Sequence, residues 1–302
     1  MLTNLRPVSG GVAVTFHGVR GSTPCTGPDF ARYGGHSSCV SVEADGQAPI
    51  LFDLGTGIRP YGLTCEGEYH GTALLSHLHW DHMQGLPFFL PLHQEGSTLD
   101  VYGPRQAEGS LGAVFAQMMR PPFFPIRPTD LPGEIRFHDT GDDDFPIGVA
   151  KVRSRWVRHV GPTLGFRVEW NGVSIAYLPD HGPGTVPGDA DDYVPPGVLE
   201  LCDSVDVLIH DAQHTNEEYE PKRHWGHCTI EYALHVARES GAKNLVLFHH
   251  DPLHGDAEMD RIGSDARELA ARMGVPEVTV ARDGLVLHPA AHPNGRQAAG
   301  ER

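Results

Sequence analysis

Four side chains able to bind cations crowd into the short run Ser76-His77-Leu78-His79-Trp80-Asp81-His82. Residues two apart in extended backbone face the same side, so His77 and His79 point together. Asp81 and His82 follow as the chain turns, and reach a second position close by. One cation cannot take all four groups from so short a segment without strain, but two adjacent cations can divide them. Imidazole and carboxylate donors without thiolate suit zinc, with manganese or iron as alternatives. A histidine-rich loop with no metal is the weaker reading, because three crowded rings would repel one another on protonation.

Such a cluster needs rigid elements behind it. Residues 72–76 read as a buried strand that stops where the donors begin. Upstream, strand-like runs at 12–17, 38–44 and 49–53 alternate with glycine-rich turns, and residues 18–35 form a Gly-, Pro-, Ser- and Thr-rich loop. A proline- and aromatic-rich stretch, 87–128, holds a short helix over 111–119. Further strands are expected at 149–156, 165–170, 172–178, 205–210, 244–248 and 278–286. Helical spacing of Ile230, Ala233, Leu234 and Ala237 gives a helix over 229–240, with Thr229 as its cap and Gly241 as its stop. Another helix spans 257–273. Many strands in both halves with few, late helices predict two packed sheets with helices outside.

The chain has 302 residues, 39% of them apolar, which is enough for a substantial core and argues against a disordered protein. Its net charge of −16 disfavours a broad non-specific nucleic-acid binder and a stable nucleic-acid complex. Cys25, Cys39, Cys65, Cys202 and Cys228 are scattered, odd in number and never spaced as CxxC. Reduced thiols in a cytoplasmic protein are therefore expected. No secretory leader and no membrane span are expected either.

The HLHWDH run resembles the HxHxDH signature of the metallo-β-lactamase superfamily, and further motifs follow in that family's order over roughly residues 12–287. The resemblance implies a four-layered αββα sandwich of the α/β (α+β layers) class and a single domain over 1–288, and the small, polar composition of 289–302 predicts a disordered tail. Asp53 matches the aspartate that supports the metal loop. His159 matches the third ligand of one cation, Asp180 the carboxylate shared by both, and His249 the last ligand of the other. The implied positions are then His77, His79 and His159, and Asp81, His82 and His249. His249 and His250 are adjacent, and only one of them can reach a metal; the family pattern favours His249. By the same alternation His181, next to Asp180, points away.

Residues 18–24 (GVRGSTP), 32–35 (RYGG) and 53–57 (DLGTG) resemble the superfamily's phosphodiesterase branch, which includes ribonuclease Z and cyclic-nucleotide phosphodiesterases. Gly226-His227-Cys228-Thr229 resembles that branch's extra histidine motif, and Asp211 the acidic residue that pairs with it. His36 stands where the pattern more often has an amide. The implied chemistry is attack by a metal-bridging hydroxide on a small or cyclic-nucleotide phosphodiester. Asp81 would orient the hydroxide, and His227, held by Asp211, would be the general acid. Arg20 and Arg32 are weaker candidates for phosphate contact. Phe88, Phe89, Phe123 and Phe124 are candidates for a pocket wall, with core packing the commoner use of such residues.

The main alternative is a ribonuclease Z-like endoribonuclease. Those enzymes commonly insert a tRNA-grasping arm between the segments matching His159 and Asp180, where this chain has only 20 residues. A lactone or ester hydrolase on the same metals ranks below it, and the branch's habit of dimerising allows a homodimer.

Overall fold

The computed structural model describes residues 11–183 and 193–291. The first sheet is laid down by β1 (Val12–Gly18), β2 (Cys39–Ala44), β3 (Ile50–Phe52), β4 (His70–Leu74), β5 (Thr98–Pro104) and β6 (Glu134–Thr140). The second follows with β7 (Asp143–Ile147), β8 (Ala150–Trp156), β9 (Leu164–Trp170), β10 (Val173–Leu178), β11 (Val207–Asp211), β12 (Asn244–Phe248) and β13 (Glu277–Val280). The last strand, β14 (Val286–Leu287), returns to the first sheet beside β1. Helices α1 (Ile58–Gly62), α2 (Trp80–Met83) and α3 (Leu111–Met118) belong to the first half. Helices α4 (Pro196–Cys202), α5 (Asn216–Lys222), α6 (Ile230–Ser240) and α7 (Asp256–Met273) belong to the second.

Three apolar layers hold the elements in an αββα stack. Phe16, Val40 and Phe52 of the first sheet meet Phe166, Tyr177 and Phe248 of the second, with Phe52 and Tyr177 stacked 4.6 Å apart. Burying one such side chain stabilises the fold by about 1.5–3 kcal/mol. On the far side of the first sheet, Leu51, Ala73 and Val101 pack on Ile58, Met83 and Phe115. On the far side of the second, Leu208, Leu245 and Leu247 pack on Val198, Leu234, Met259 and Ile262. β11 shows why: Ile209 faces the inter-sheet core while Leu208 faces the helices, as a strand buried on both faces requires.

Each sheet begins antiparallel and ends in a parallel run, β3-β4-β5-β6 in the first and β10-β11-β12-β13 in the second. In such sheets ligands lie beyond the carboxyl ends of parallel strands. Here those ends belong to β3, β4, β10, β11 and β12, and every segment expected to carry a metal-cluster residue, except that of His159, emerges from one of them.

Two expectations need correction. The single strand predicted over 278–286 is two strands, β13 and β14, in different sheets, because the turn at Arg282–Leu285 carries the chain across. Strands β5, β6 and β7 were not foreseen: β6 and β7 are edge strands with polar, partly exposed faces, and β6 takes its hydrogen bonds from β5, distant in sequence, whereas β7 pairs with β8 across a tight hairpin at Gly148-Val149. The predicted tail falls, from residue 292 on, outside the described residues. No helix among the described residues is long and apolar enough to cross a membrane.

Candidate metal centre

β3 ends at Phe52, and Asp53 turns the chain in a left-handed conformation, φ 57°. Its buried carboxylate accepts the Ser76 N–H at 2.7 Å, the Ser76 hydroxyl at 2.9 Å and the Tyr177 hydroxyl at 2.7 Å. It also faces His82 Nδ1 at 2.7 Å, which fixes that ring with Nε2 turned outward. The loop after β4 presents His77 and His79, and the four-residue α2 presents Asp81 and His82.

From the second sheet come His159, in the loop between β8 and β9; Asp180, just past β10; and His249, just past β12. The fold gathers these side chains into two adjoining groups, His77, His79, His159 and Asp180, and Asp81, His82 and His249, each with donor atoms within 4.8 Å of one another. His82 Nε2 lies 3.1 Å from Asp81 Oδ2, 3.0 Å from Asp180 Oδ1 and 3.2 Å from His249 Nε2. His159 Nε2 lies 3.2 Å from His79 Nδ1 and 3.4 Å from Asp180 Oδ2. His77 Nε2 is buried without a hydrogen-bond partner, 3.7 Å from Asp180 Oδ2.

These atoms are electron-rich and converge on one another, an arrangement that fits divalent cations. Burial pushes His77 and His159 down, and partial desolvation inside the cluster does the same at the more open His79, so these rings are neutral and offer lone pairs. Burial opposes the ionisation of Asp81 and Asp180, but the surrounding imidazoles outweigh it and hold both carboxyls well below their ordinary range. At His82 burial disfavours the cation, yet Asp180, Asp81 and Asp53 together raise the ring well above its usual value. Three carboxylates around one ring favour positive charge, which a divalent cation held by these residues would supply in place of a proton.

His227 lies beside both groups. Its Nδ1 donates to Asp211 Oδ2 at 2.8 Å, and its ring stacks on His249, centroids 4.9 Å apart. Asp211, at the end of β11, also accepts the backbone N–H of His181 at 3.1 Å and of Gln213 at 3.0 Å. Burial would lower His227, but Asp211, then Asp180 and Asp81, raise it to about 9. Gly226, φ 86°, precedes it and accepts from His159 Nδ1 at 2.9 Å; a Cβ there would stand 2.6 Å from that nitrogen. The cavity above the cluster, about 380 Å³, is lined by Ser22, Leu78, His79, Trp80, Asp81, Asp180, His227 and His249.

All the residues of this cavity except Ser22 fall within a match to a recognised family. The model for the beta-lactamase superfamily domain matches residues 67–250. This chain belongs to that superfamily. It is 26% identical to a ribonuclease Z of Haloarcula marismortui, over 90% of this chain and 95% of the relative. It is 29% identical to a ribonuclease Z of Haloferax volcanii, over 90% and 93%. The superfamily member is by this kinship a metal-dependent hydrolase, and over almost its whole length it is similar to ribonuclease Z enzymes. Among solved structures, the metallo-beta-lactamase fold protein YhfI of Bacillus subtilis superposes with a TM-score of 0.69 at 17% identity, covering 92% of this chain and 98% of that one. The short form of human tRNase Z gives 0.66 at 22%, covering 92% and 99%. A diphosphatase of the PhnP family gives 0.66 at 21%, covering 93% and 98%.

Several sequence candidates of this superfamily member lie elsewhere. His250 is turned away, its Nε2 donating to the Ala281 carbonyl at 2.9 Å, and His181 pairs with His210 at 3.0 Å. Arg20 is fully buried and spends its guanidinium on the carbonyls of Gly34 at 2.8 Å and His254 at 2.7 Å, so it ties the glycine-rich loop and cannot meet a phosphate. Arg32 pairs with Asp260 at 2.6 Å. Phe89 is core, and none of the four phenylalanines lines the cavity. The buried Cys228 thiol donates to the Asp211 carbonyl, and burial raises its pKa further from a thiolate. Sequence reasoning missed Ser22, Ser76, Tyr177 and Gln213, which reach the site only through tertiary contact.

Proposed function

We propose that this protein hydrolyses a small phosphodiester, with His227 delivering the proton that the departing alkoxide requires. The observation that carries the reading is the His227–Asp211 pair, 2.8 Å apart, on the wall of a cavity whose floor is the seven-donor cluster. His77, His79 and His159 would hold one cation, Asp81, His82 and His249 the other, with Asp180 between them. When bound, two divalent cations, zinc by the donor chemistry, activate water and neutralise charge on phosphoryl oxygens. Asp81 orients the attacking water. Asp211 fixes Nδ1 of His227 as a donor, leaving Nε2–H for the leaving oxygen as its bond to phosphorus breaks.

The finer reading is a cyclic or otherwise small nucleotide diester. The cavity of about 380 Å³ suits a ligand of that size. Trp80, 73% exposed on its rim, offers a ring for a base to stack on. Between His159 and Asp180 the chain makes only the β9–β10 hairpin, closed by a tight Asn171-Gly172 turn with both residues at positive φ. That hairpin has no room for an RNA-gripping arm, and the net charge of −16 repels RNA at long range.

Precursor tRNA cleavage is the second reading, favoured by the names of the relatives. A single domain over 1–288 is part of the proposal, supported by the core that both sheets share. So are a cytoplasmic setting, supported by five free thiols, and a homodimer, on the resemblance alone. The test is turnover of an aryl phosphodiester, a cyclic-nucleotide panel, a lactone and a precursor tRNA, each with and without chelator. Chelator-sensitive hydrolysis of a small diester is expected. Faster cleavage of the tRNA would move the reading to ribonuclease Z, and turnover of the lactone alone would end it.

A further inference from the structure

We infer that Gln213 is a positioning residue for the second cation position, closing a hydrogen-bonded strap around His249 and Asp81. The inference rests on the reading that this position holds a cation. Gln213 follows β11 and is buried. Its Oε1 accepts from His249 Nδ1 at 2.9 Å, which places the ring proton on Nδ1 and leaves the Nε2 lone pair directed at the cluster. That Nε2 lies 3.1 Å from Asp81 Oδ2 and 3.2 Å from Asp180 Oδ1. The other end of the amide, Nε2, donates to Ser22 Oγ at 3.3 Å, and the Ser22 N–H donates to Asp81 Oδ2 at 2.7 Å. The circuit Asp81–Ser22–Gln213–His249 thus returns to Asp81.

Backbone conformation at two of these residues supports a built arrangement. Ser22 at φ 62° and His249 at φ 59° both hold left-handed conformations, which residues other than glycine keep only where their surroundings compel it. Gly21 lies against the His249 ring, where a Cβ would come within 2.4 Å of Nδ1. The support is also chemically distinct: His82 leans on a charged carboxylate, Asp53, whereas His249 leans on a neutral amide. One amide therefore sets the aim of an imidazole and, through Ser22, of a carboxylate at the same position.

The test is zinc competition titration against a chromophoric chelator, with the full-length protein. The parent is expected to show two affinities. Gln213→Leu should leave one of them nearly unchanged and weaken the other about 10–100-fold, the usual effect of losing a group that orients a ligand. Gln213→Glu, which keeps an acceptor for His249 Nδ1–H, should restore most of that loss. In a His249→Ala background, Gln213→Leu should cost less than in the parent, because only the route through Ser22 to Asp81 remains for it to break. Equal weakening of both positions, weakening of neither, or a Glu variant as poor as the Leu variant would overturn the assignment. No turnover enters the measurement. A parent that binds two cations yet cleaves no phosphodiester defeats the proposed function and leaves the strap intact, whereas a parent that binds fewer than two defeats both.

Discussion

His82 turns its Nδ1 to the Asp53 carboxylate at 2.7 Å, whereas His159 turns its Nδ1 to the Gly226 carbonyl at 2.9 Å. The contrast extends to the rest of each position. Asp81, His82 and His249 are all buried, and are braced by a carboxylate, a backbone N–H and an amide. Of the other group, His77 leans on the neutral Ser76 hydroxyl at 3.0 Å, and His79 is exposed at the cavity mouth. A carboxylate behind an imidazole raises its basicity and fixes its tautomer more firmly than a carbonyl does. The buried position should therefore hold its cation more tightly, and the open one should exchange more readily with solvent and meet the substrate.

Asp180 faces both groups, Oδ1 toward His82 and His249 and Oδ2 toward His77 and His159, so on the proposed reading its removal should have the largest effect. Asp180→Ala is expected to weaken both zinc affinities and to cut hydrolysis by at least about 10⁴-fold, the several kcal/mol that metal ions contribute to charge stabilisation. Loss of one affinity with the other intact would show that the carboxylate is not shared. Next comes His227→Ala, which should slow turnover by about 10²–10⁴-fold while metal analysis still finds two cations. Parental activity in that variant would remove the acid from the mechanism.

Asp53→Asn separates the two positions directly. It should weaken the His82 position by about 10–100-fold in zinc titration and leave the His159 position nearly unchanged. Equal losses at both would mean that the two positions are braced alike. The smallest effect is expected at the open side. Trp80→Ala should lower kcat/KM for a base-bearing diester by roughly 5–100-fold, with Trp80→Phe retaining most of it and a dialkyl phosphate unaffected. A uniform fall across all substrates would mean that Trp80 supports the fold and not a base.

Sequence and structure agree best where one short stretch contains its own explanation. α6 is legible because Ile230, Ala233, Leu234 and Ala237 share one face, because the Thr229 side chain accepts the Tyr232 N–H, and because Gly241 takes the left-handed stop. β12 is legible from the apolar run 245–248. By contrast, β13 and β14 look like one strand, since nothing local says that Val280 faces one sheet's neighbours and Val286 the other's. Arg20 misled for a related reason. A glycine-rich loop suggests a solvated arginine, but the chain from 250 to 254 folds over it and takes its hydrogen bonds.

His77, His79, Asp81 and His82 were set by the sequence itself, because six residues of backbone cannot carry those donors far apart. The motif order along the chain likewise marked out Asp53, His159, Asp180, Asp211, His227 and His249. Tertiary structure decided which of His249 and His250 faces the cluster, and it alone recruited Tyr177 to Asp53 and Gln213 to His249 and Ser22. Those last pairings join residues 36 to 191 positions apart, and their geometry follows from how two sheets pack, which no local spacing encodes.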